Sequence, residues 1–259
     1  METTVETTEK VIVAVADGVA TVSLNRPERH NAVDDELYEQ LSSGWRRVLA
    51  DPAARVILLR GEGRSFCSGR DTGQLGRRAA GESDLEFIRK HIRTRVVQLD
   101  SPKPVIAALR GHVLGGGLEM ALAADIRIAA ADVRMAFPEI RHGLMTDTGG
   151  SPLATMLAGP SRAKWMLMTG RPVDAERALA WGLVDEVVPA DQVDDVAAAL
   201  ARDIAAAPAD ALAMIKQTVD GLWHGPLHAA LRAELLGQVA LFGGEDYQAR
   251  RRARLNQTS

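Results

Sequence analysis

Strand and helix patterns alternate along the first 190 residues, and this alternation restricts the fold more than any other feature of the sequence. Two β-branched runs, Val11–Ala16 and Val19–Leu24, are joined by Asp-Gly, the signal for a two-residue hairpin turn. Further apolar runs predict strands at residues 56–59, 105–109, 126–129 and 184–188. Helices are predicted after Asp34, a plausible N-cap residue, and at 118–124. The alternation indicates a layered α/β core.

The pattern changes at about residue 190. From there to residue 255 the periodicity is helical throughout, with apolar stripes at residues 193–204, 212–222 and 227–242. We therefore predict an α/β core over residues 1–190 that carries the functional site, and a helical oligomerisation region over 191–259. The stripe at 227–242 should pack across subunits or back onto the core.

Composition excludes several classes of protein. The chain has 259 residues, of which 46% are hydrophobic, and a net charge of −3, so no overall positive field points to nucleic acid. A single cysteine, Cys67, removes a disulfide framework. Charged residues interrupt every long apolar stretch and the start of the chain is polar, so we expect neither membrane span nor signal peptide, and a cytoplasmic location. His30 and His142 lack the spacing of metal ligands, and we expect no metal.

A triple glycine, residues 115–117, follows the strand at 105–109 and precedes a helix. Glycines there allow the backbone to approach a ligand closely, and the free N–H groups of a helix start favour negative charge. Glu119 lies in the first turn. The segment matches neither G-x-G-x-x-G nor a Walker loop. By itself, it also fits a simple strand–helix turn in which Glu119 complements the helix dipole.

Further segments, in order along nearly the whole chain, resemble the crotonase superfamily, the enoyl-CoA hydratase/isomerase family. The matching segments are residues 24–27 (LNRP), 31–32 (NA), 66–71 (FCSGRD), 111–119 (GHVLGGGLE), 123–125 (AAD), 138–139 (PE), 149–150 (GG), 169–171 (TGR), 182–184 (GLV) and 188–189 (VP). The resemblance implies a spiral of strand–strand–helix units with a C-terminal helical region, assembled as a homotrimer or a dimer of trimers. It also implies an acyl-CoA thioester substrate, with coenzyme A as part of that substrate and no separate cofactor.

The resemblance assigns site residues as well. The two backbone N–H groups of the family's oxyanion hole fall on Arg70 and Gly116, where they would stabilise the charge of a thioester enolate. The two glutamates of the hydratases fall on Glu119 and Glu139, which could hold one water and move its proton. We therefore expect an enoyl-CoA hydratase that adds water to a 2-enoyl-CoA. Another hypothesis is a family member that has lost catalysis and serves as a coenzyme A-binding or assembly subunit.

Asp147 keeps a second reaction open. It stands where the family usually has glycine, and an acid at this place recurs in isomerases of the dienoyl-CoA type. If it is used, Asp147 and Glu139 could shuttle a proton between two carbons of the acyl chain. If it is structural, it should cap the helix that starts near Ser151 or pair with an arginine such as Arg141.

Basic residues are assigned to coenzyme A on a looser pattern. The family's phosphate contacts suggest Arg29, Arg64 and Arg250. Arg70 replaces a residue that is usually small, and its guanidinium is expected to contact an acid of the acyl group, the site carboxylates or solvent. His112 is interpreted as a packing or capping residue, because the family does not use it.

Overall fold

The computed structural model describes residues 4–7 and 10–257, and the side chains of residues 10–254. Its strands, in chain order, are β1 (Thr4–Thr7), β2 (Val11–Ala16), β3 (Val19–Leu24), β4 (Val56–Gly61), β5 (Val105–Leu109), β6 (His112–Leu114), β7 (Ile126–Ala130), β8 (Arg134–Ala136), β9 (Val173–Asp174) and β10 (Glu186–Val188). The larger sheet has the order β1-β2-β3-β4-β5-β7-β10, and the smaller has the order β6-β8-β9. The first three strands of the larger sheet are antiparallel and the rest are parallel.

The helices connect and cover these strands. They are α1 (Asp35–Ala50), α2 (Asp84–Leu99), α3 (Gly116–Leu122), α4 (Gly150–Ala158), α5 (Pro160–Thr169), α6 (Ala175–Ala180), α7 (Val193–Ala205), α8 (Ala209–Gly221), α9 (His224–Gly243) and α10 (Glu245–Gln257). Single 3₁₀ turns occupy Pro27–Arg29 and Pro138–His142. The predicted α/β class is confirmed.

Local sequence signals were reliable where they were strong. The hairpin β2–β3 has the predicted bounds, with Asp17 and Gly18 both at positive φ, as a primed turn requires. Asp34 caps α1 by accepting a hydrogen bond from the Leu37 N–H at 2.8 Å. Helix α2, at residues 84–99, is not predicted from the sequence, and it begins after a capping box formed by Ser83 and Glu86. Strand β1 and the three strands of the smaller sheet are not predicted either, because they are too short to show a period.

A close backbone approach brings the two glycine-bearing loops together. Cys67, after β4, forms an isolated parallel bridge with Val113 of β6. The backbone at Gly117 lies so near that an added Cβ would stand 2.5 Å from the Cys67 carbonyl oxygen. Gly115 has φ +54° and ψ −127°, a conformation open to glycine. Two of the three glycines are therefore required by geometry, one by contact and one by conformation.

The C-terminal helices return to the core of the same chain. Val193, Ala197 and Ala201 of α7 pack on one face of the larger sheet. Leu227 and Leu231 of α9 belong to the main hydrophobic cluster, so the predicted stripe of 227–242 packs back onto the core, the second of the two outcomes expected. Between residues 10 and 257, no helix is long and apolar enough to cross a membrane.

An exposed apolar surface lies on α8 and the turn that follows. Its members are Met214, Ile215, Val219, Leu222 and Trp223, each about half exposed or more. A contiguous exposed surface of this kind marks an interface. We propose that it packs against a second copy of the chain.

Ile215→Asp should therefore weaken self-association by at least about tenfold, because it buries a charge at the proposed contact. Analytical ultracentrifugation over a concentration series measures this. Leu236→Asp, at an exposed apolar position on α9 outside this surface, is the matched control. A monomeric wild-type chain at micromolar concentration would contradict the proposal.

Candidate active site

A cavity between the glycine-bearing loops and helices α1, α2 and α9 contains all the residues predicted for chemistry. It is lined by Arg70, Gly116, Glu119, Glu139 and Asp147. These residues come from four separate stretches of the chain. The cavity is otherwise mostly apolar, and its aromatic and imidazole rings come from Tyr38, Trp45, Phe87, His91 and Phe242.

Two backbone donors face this cavity without partners. Within residues 10–257, neither the Arg70 nor the Gly116 N–H has an acceptor. The loops that carry them are adjacent, since a Cβ on Gly69 would lie 3.5 Å from the Gly116 nitrogen. Free, preorganised N–H groups at a cavity wall can stabilise an oxyanion. The side chain of Arg70 does not point into solvent: it pairs with Asp35.

Glu119 is 2% exposed, and its carboxylate is fully engaged by one loop. Its Oε1 accepts hydrogen bonds from the N–H groups of Asp147 (3.2 Å), Thr148 (2.9 Å) and Gly150 (2.9 Å). Its Oε2 accepts the hydroxyl of Thr148 at 2.7 Å. Glu119 therefore anchors the loop and the start of α4.

Glu139 is in the opposite situation. It sits on the 3₁₀ turn that Pro138 begins, and its buried Oε2 has no hydrogen-bond partner among the described residues. Burial, and then the nearby charge of Glu119, raise the pKa of Glu139 well above its usual value. A buried carboxyl group in such an environment can give or take a proton.

Asp147 corrects both structural interpretations made from the sequence. Helix α4 begins at Gly150 with Gly149 as its N-cap and no side-chain cap, and Arg141 donates instead to the Gly170 carbonyl. The Asp147 carboxylate accepts one hydrogen bond, from the Gln238 side-chain amide at 3.2 Å. Burial, followed by the charges of Glu119 and Glu234, raises the pKa of Asp147 well above its usual value.

Helix α9, in the C-terminal region, supplies two site residues that were not predicted from the sequence. Glu234 of α9, 2% exposed, accepts hydrogen bonds from the N–H groups of Gly149 (2.7 Å) and Ser151 (2.8 Å) and from the hydroxyl of Thr146 (2.6 Å). Gln238, one turn further along, donates to Asp147 and accepts from the Met145 N–H at 3.1 Å. The spacing of two polar residues four apart within an apolar stripe was the available signal.

A buried cation balances part of this negative charge. Arg95 of α2 donates to Gln98 and to the Gly116 carbonyl, the latter at 3.4 Å. Burial lowers its pKa to about 10, which leaves the guanidinium charged at neutral pH. Burial likewise lowers the pKa of His91 to about 4, so this imidazole of the cavity wall is neutral. Neither residue carried a recognisable sequence motif.

Similarity to known proteins identifies the family of the chain. The sequence model of the enoyl-CoA hydratase/isomerase family matches residues 14–253. The chain belongs to this family. It is 35% identical over 231 residues to the 1,2-epoxyphenylacetyl-CoA isomerase of Escherichia coli K12, with 87% of each chain covered. It is 36% identical over 232 residues to the (E)-benzylidenesuccinyl-CoA hydratase of Thauera aromatica, with 85% of this chain and 88% of the relative covered.

Solved structures share the fold. An enoyl-CoA hydratase/isomerase from Xanthobacter autotrophicus Py2 superimposes with a TM-score of 0.87 at 32% identity, covering 96% of this chain and 94% of that one. The expected crotonase-like architecture is thus confirmed. The family membership resolves the class of substrate, an acyl-CoA thioester, but its members include both hydratases and isomerases.

The arginines suggested for coenzyme A fall in two places. Arg29 and Arg64 are exposed and near each other, because Arg29 precedes His30 and the Arg64 guanidinium lies 3.3 Å from the His30 Nε2. Arg250 is exposed on α10 and donates to the Arg141 carbonyl at 3.2 Å, beside the 3₁₀ turn of Glu139. Contact of these arginines with coenzyme A stays a prediction.

Asp147 and Glu119 differ in hydrogen bonding, so replacing each carboxyl group by an amide should change the stability of the fold in opposite directions. At pH 8, Asp147→Asn should raise the free energy of unfolding by about 1 kcal/mol or more, because it removes a carboxyl whose charge is disfavoured by folding. Glu119→Gln should lower it by about 1–3 kcal/mol, because the amide cannot replace the acceptor held by the loop. Urea denaturation measures both.

The pH dependence is the control for the Asp147 effect. A raised pKa means that the folded chain binds more protons than the unfolded one, so wild-type stability falls as pH rises through the folded value. The gain in Asp147→Asn should therefore shrink between pH 8 and pH 4. A gain that stays constant over this range would show that the charge of Asp147 is not its cause.

Proposed function

We propose that this protein isomerises the carbon–carbon double bond of an enoyl- or dienoyl-CoA, with Glu139 as the base and Asp147 as the acid. One observation carries the proposal. Of the three carboxyl groups predicted for chemistry, Glu119 accepts four hydrogen bonds, which occupy its oxygens. Asp147 accepts one hydrogen bond, from Gln238, and among the described residues the Glu139 Oε2 accepts none. The two available groups are the pair that an isomerase needs.

The proton balance of the reaction follows from their positions. An added Cβ on Gly115 would stand 2.7 Å from the Glu139 Oε1, so Glu139 lies beside the residue that precedes the Gly116 donor. We assign Glu139 as the base that takes the proton from the carbon next to the thioester, leaving an enolate. Asp147, protonated at the start, gives its proton to the far carbon of the double-bond system as the double bond moves. Proton exchange from Glu139 to Asp147 then resets the site.

The backbone donors stabilise the intermediate in this scheme. Negative charge moves onto the thioester oxygen as the proton leaves, and the N–H groups of Arg70 and Gly116 are assigned to that oxygen. A few kcal/mol of stabilisation per donor is typical of such groups. Glu119 keeps the loop of Asp147 in place, and in this reaction it neither gives nor takes a proton.

Hydration of a 2-enoyl-CoA, the first expectation from the sequence, is the second candidate. It is favoured by the position of Glu119, whose Oε2 would lie 3.8 Å from a Cβ on Gly116. Glu139 lies beside Gly115 and Glu119 beside Gly116, and a water between the two carboxyl groups would face the assigned thioester position. Under this hypothesis Asp147 is dispensable.

The cavity wall suggests the class of acyl group. Tyr38, Phe87, His91 and Phe242 present flat, mostly apolar rings, and such walls suit a ring-bearing acyl chain. The names of the E. coli and Thauera relatives both contain a phenyl-bearing acyl group. Phenyl-substituted acyl-CoA esters therefore belong in the substrate panel beside linear ones.

The first test separates the two reactions. Wild-type protein is incubated with 3-enoyl-, 3,5-dienoyl- and 2-enoyl-CoA esters, and mass spectrometry distinguishes a shifted double bond from added water. Asp147→Asn and Glu139→Gln should each lower kcat for isomerisation by about a hundredfold or more, the loss typical of a removed acid or base. Asp246→Asn, an exposed change on α10, should leave it unaltered.

Two outcomes would favour hydration instead. The wild-type protein would add water faster than it moves the double bond, and Asp147→Asn would keep at least a tenth of that activity while Glu119→Gln lost it. Isomerisation that survives Asp147→Asn would equally reject the proposed acid–base pair.

The second test addresses the oxyanion site. Gly116→Pro should abolish turnover, because proline has no N–H to donate, whereas Gly116→Ala retains the donor and has 3.8 Å to the Glu119 Oε2. The two variants are compared for kcat and for binding of an acyl-CoA, with circular dichroism to verify the fold. Activity in a folded Gly116→Pro protein would exclude this position as the thioester site.

A further inference from the structure

Three side chains with metal-binding atoms converge outside the cavity of the candidate active site. Asp100 is the residue that ends α2, His224 is the first residue of α9, and His228 follows one helical turn later. The metal prediction made from the sequence considered His30 and His142 and overlooked this pair. Two histidines four residues apart on a helix share one face, which the fold places against the end of α2.

The donor atoms point at one another without bonding. The Nε2 atoms of His224 and His228 are each 3.6 Å from the same Asp100 Oδ1, beyond a hydrogen bond. One ligand atom from each of the three residues lies within 4.8 Å of the others. Ligands about 2.0–2.2 Å from a tetrahedral zinc ion are roughly 3.3–3.5 Å apart, so small side-chain rotations would complete the geometry.

A second observation points to a missing ligand. The Nε2 of His228 is buried and has no hydrogen-bond partner among the described residues. A buried imidazole nitrogen without a partner is costly unless something binds it. The two rings stack at 4.2 Å, so the second histidine cannot supply a hydrogen bond along the ring plane.

The surroundings favour a cation. Lys216 of α8 is already paired with Asp125 and Asp220. Both histidines line a cavity whose charged residues are three aspartates and two cations, namely Asp100, Asp125, Asp220, Arg127 and Lys216. The carboxylates therefore outnumber the cations beside the histidines.

We propose that Asp100, His224 and His228 form a binding site for a divalent transition metal of the Zn²⁺ class. Two imidazoles and one carboxylate are ligands of this class, and they discriminate against Mg²⁺ and Ca²⁺, which prefer oxygen. The side of the site that faces solvent leaves a fourth position open for water.

The bound ion would join the end of α2 to the start of α9. Both helices line the candidate active site, α2 through Arg95 and α9 through Gln238. The metal would therefore stabilise the helix pair that encloses the cavity, at a distance from the chemistry. This inference is independent of the proposed reaction.

Zinc binding to the purified full chain tests the proposal. Protein stripped with EDTA is titrated with Zn²⁺ by calorimetry and by competition with a chromophoric chelator. We expect one Zn²⁺ per chain with a dissociation constant of about 1 μM or lower. His224→Gln, His228→Gln and Asp100→Asn should each weaken binding by about tenfold or more. Asp220→Asn, which removes the same charge from a neighbouring residue that is not a ligand, should change it less than about threefold.

Thermal unfolding gives a second measurement that does not depend on activity. Zn²⁺ should raise the Tm of the wild-type protein and of Asp220→Asn, and leave that of His224→Gln unchanged, because only a ligand that binds the folded state stabilises it. His224 is 59% exposed in its side chain, so this variant is expected to fold. The proposal is overturned by an absence of stoichiometric binding, by binding that survives all three substitutions, or by equal weakening in Asp100→Asn and Asp220→Asn.

Discussion

Two buried carboxylates hold the loop of residues 146–151, and the rest of the site depends on this arrangement. Glu119 accepts the N–H groups of residues 147, 148 and 150, and Glu234 accepts those of 149 and 151. The backbone N–H groups of residues 147–151 therefore all donate to one or the other of these two carboxylates. With its own N–H bound by Glu119, Asp147 has its side chain directed to the cavity. A glycine at this position would leave the anchoring intact and remove only the carboxyl group.

This arrangement concentrates negative charge in an apolar cavity, and the function proposed here uses that charge. Burial and mutual repulsion raise the pKa of Glu139 and of Asp147, while Arg95 offers one compensating cation beneath them. Burial of these two carboxyl groups lowers the stability of the fold at neutral pH, and the same burial suits them to exchange protons in the proposed reaction. Glu119 differs from both because backbone N–H groups and one hydroxyl occupy its oxygens. The three acids of the site thus differ in hydrogen bonding although their chemistry is nearly the same, and the roles proposed for them follow from that difference.

Helix α9 connects the site to the rest of the molecule. Its apolar residues Leu227 and Leu231 pack into the main core, Glu234 and Gln238 bind the loop of Asp147, and its first turn carries the histidine pair. A helix from the C-terminal region therefore contributes residues to the candidate active site. The exposed apolar residues proposed to contact another copy lie on α8 and the turn that follows.

Short-range features were predictable from the sequence because their causes are local. The hairpin at Asp17, the cap at Asp34 and the family's glycine and glutamate motifs are each contained within a few residues, and they identified the fold class and the residues of the cavity. What could not be predicted is which of those residues are free to react. That depends on Glu234 and Gln238, more than 80 residues from the loop they bind, and on the hydrogen bonds that occupy Glu119. The sequence shows that a residue is Asp or Glu, but it does not show whether the carboxylate oxygens accept hydrogen bonds. Only the tertiary structure decides this, because long-range packing determines which donors reach each oxygen and how far water is excluded.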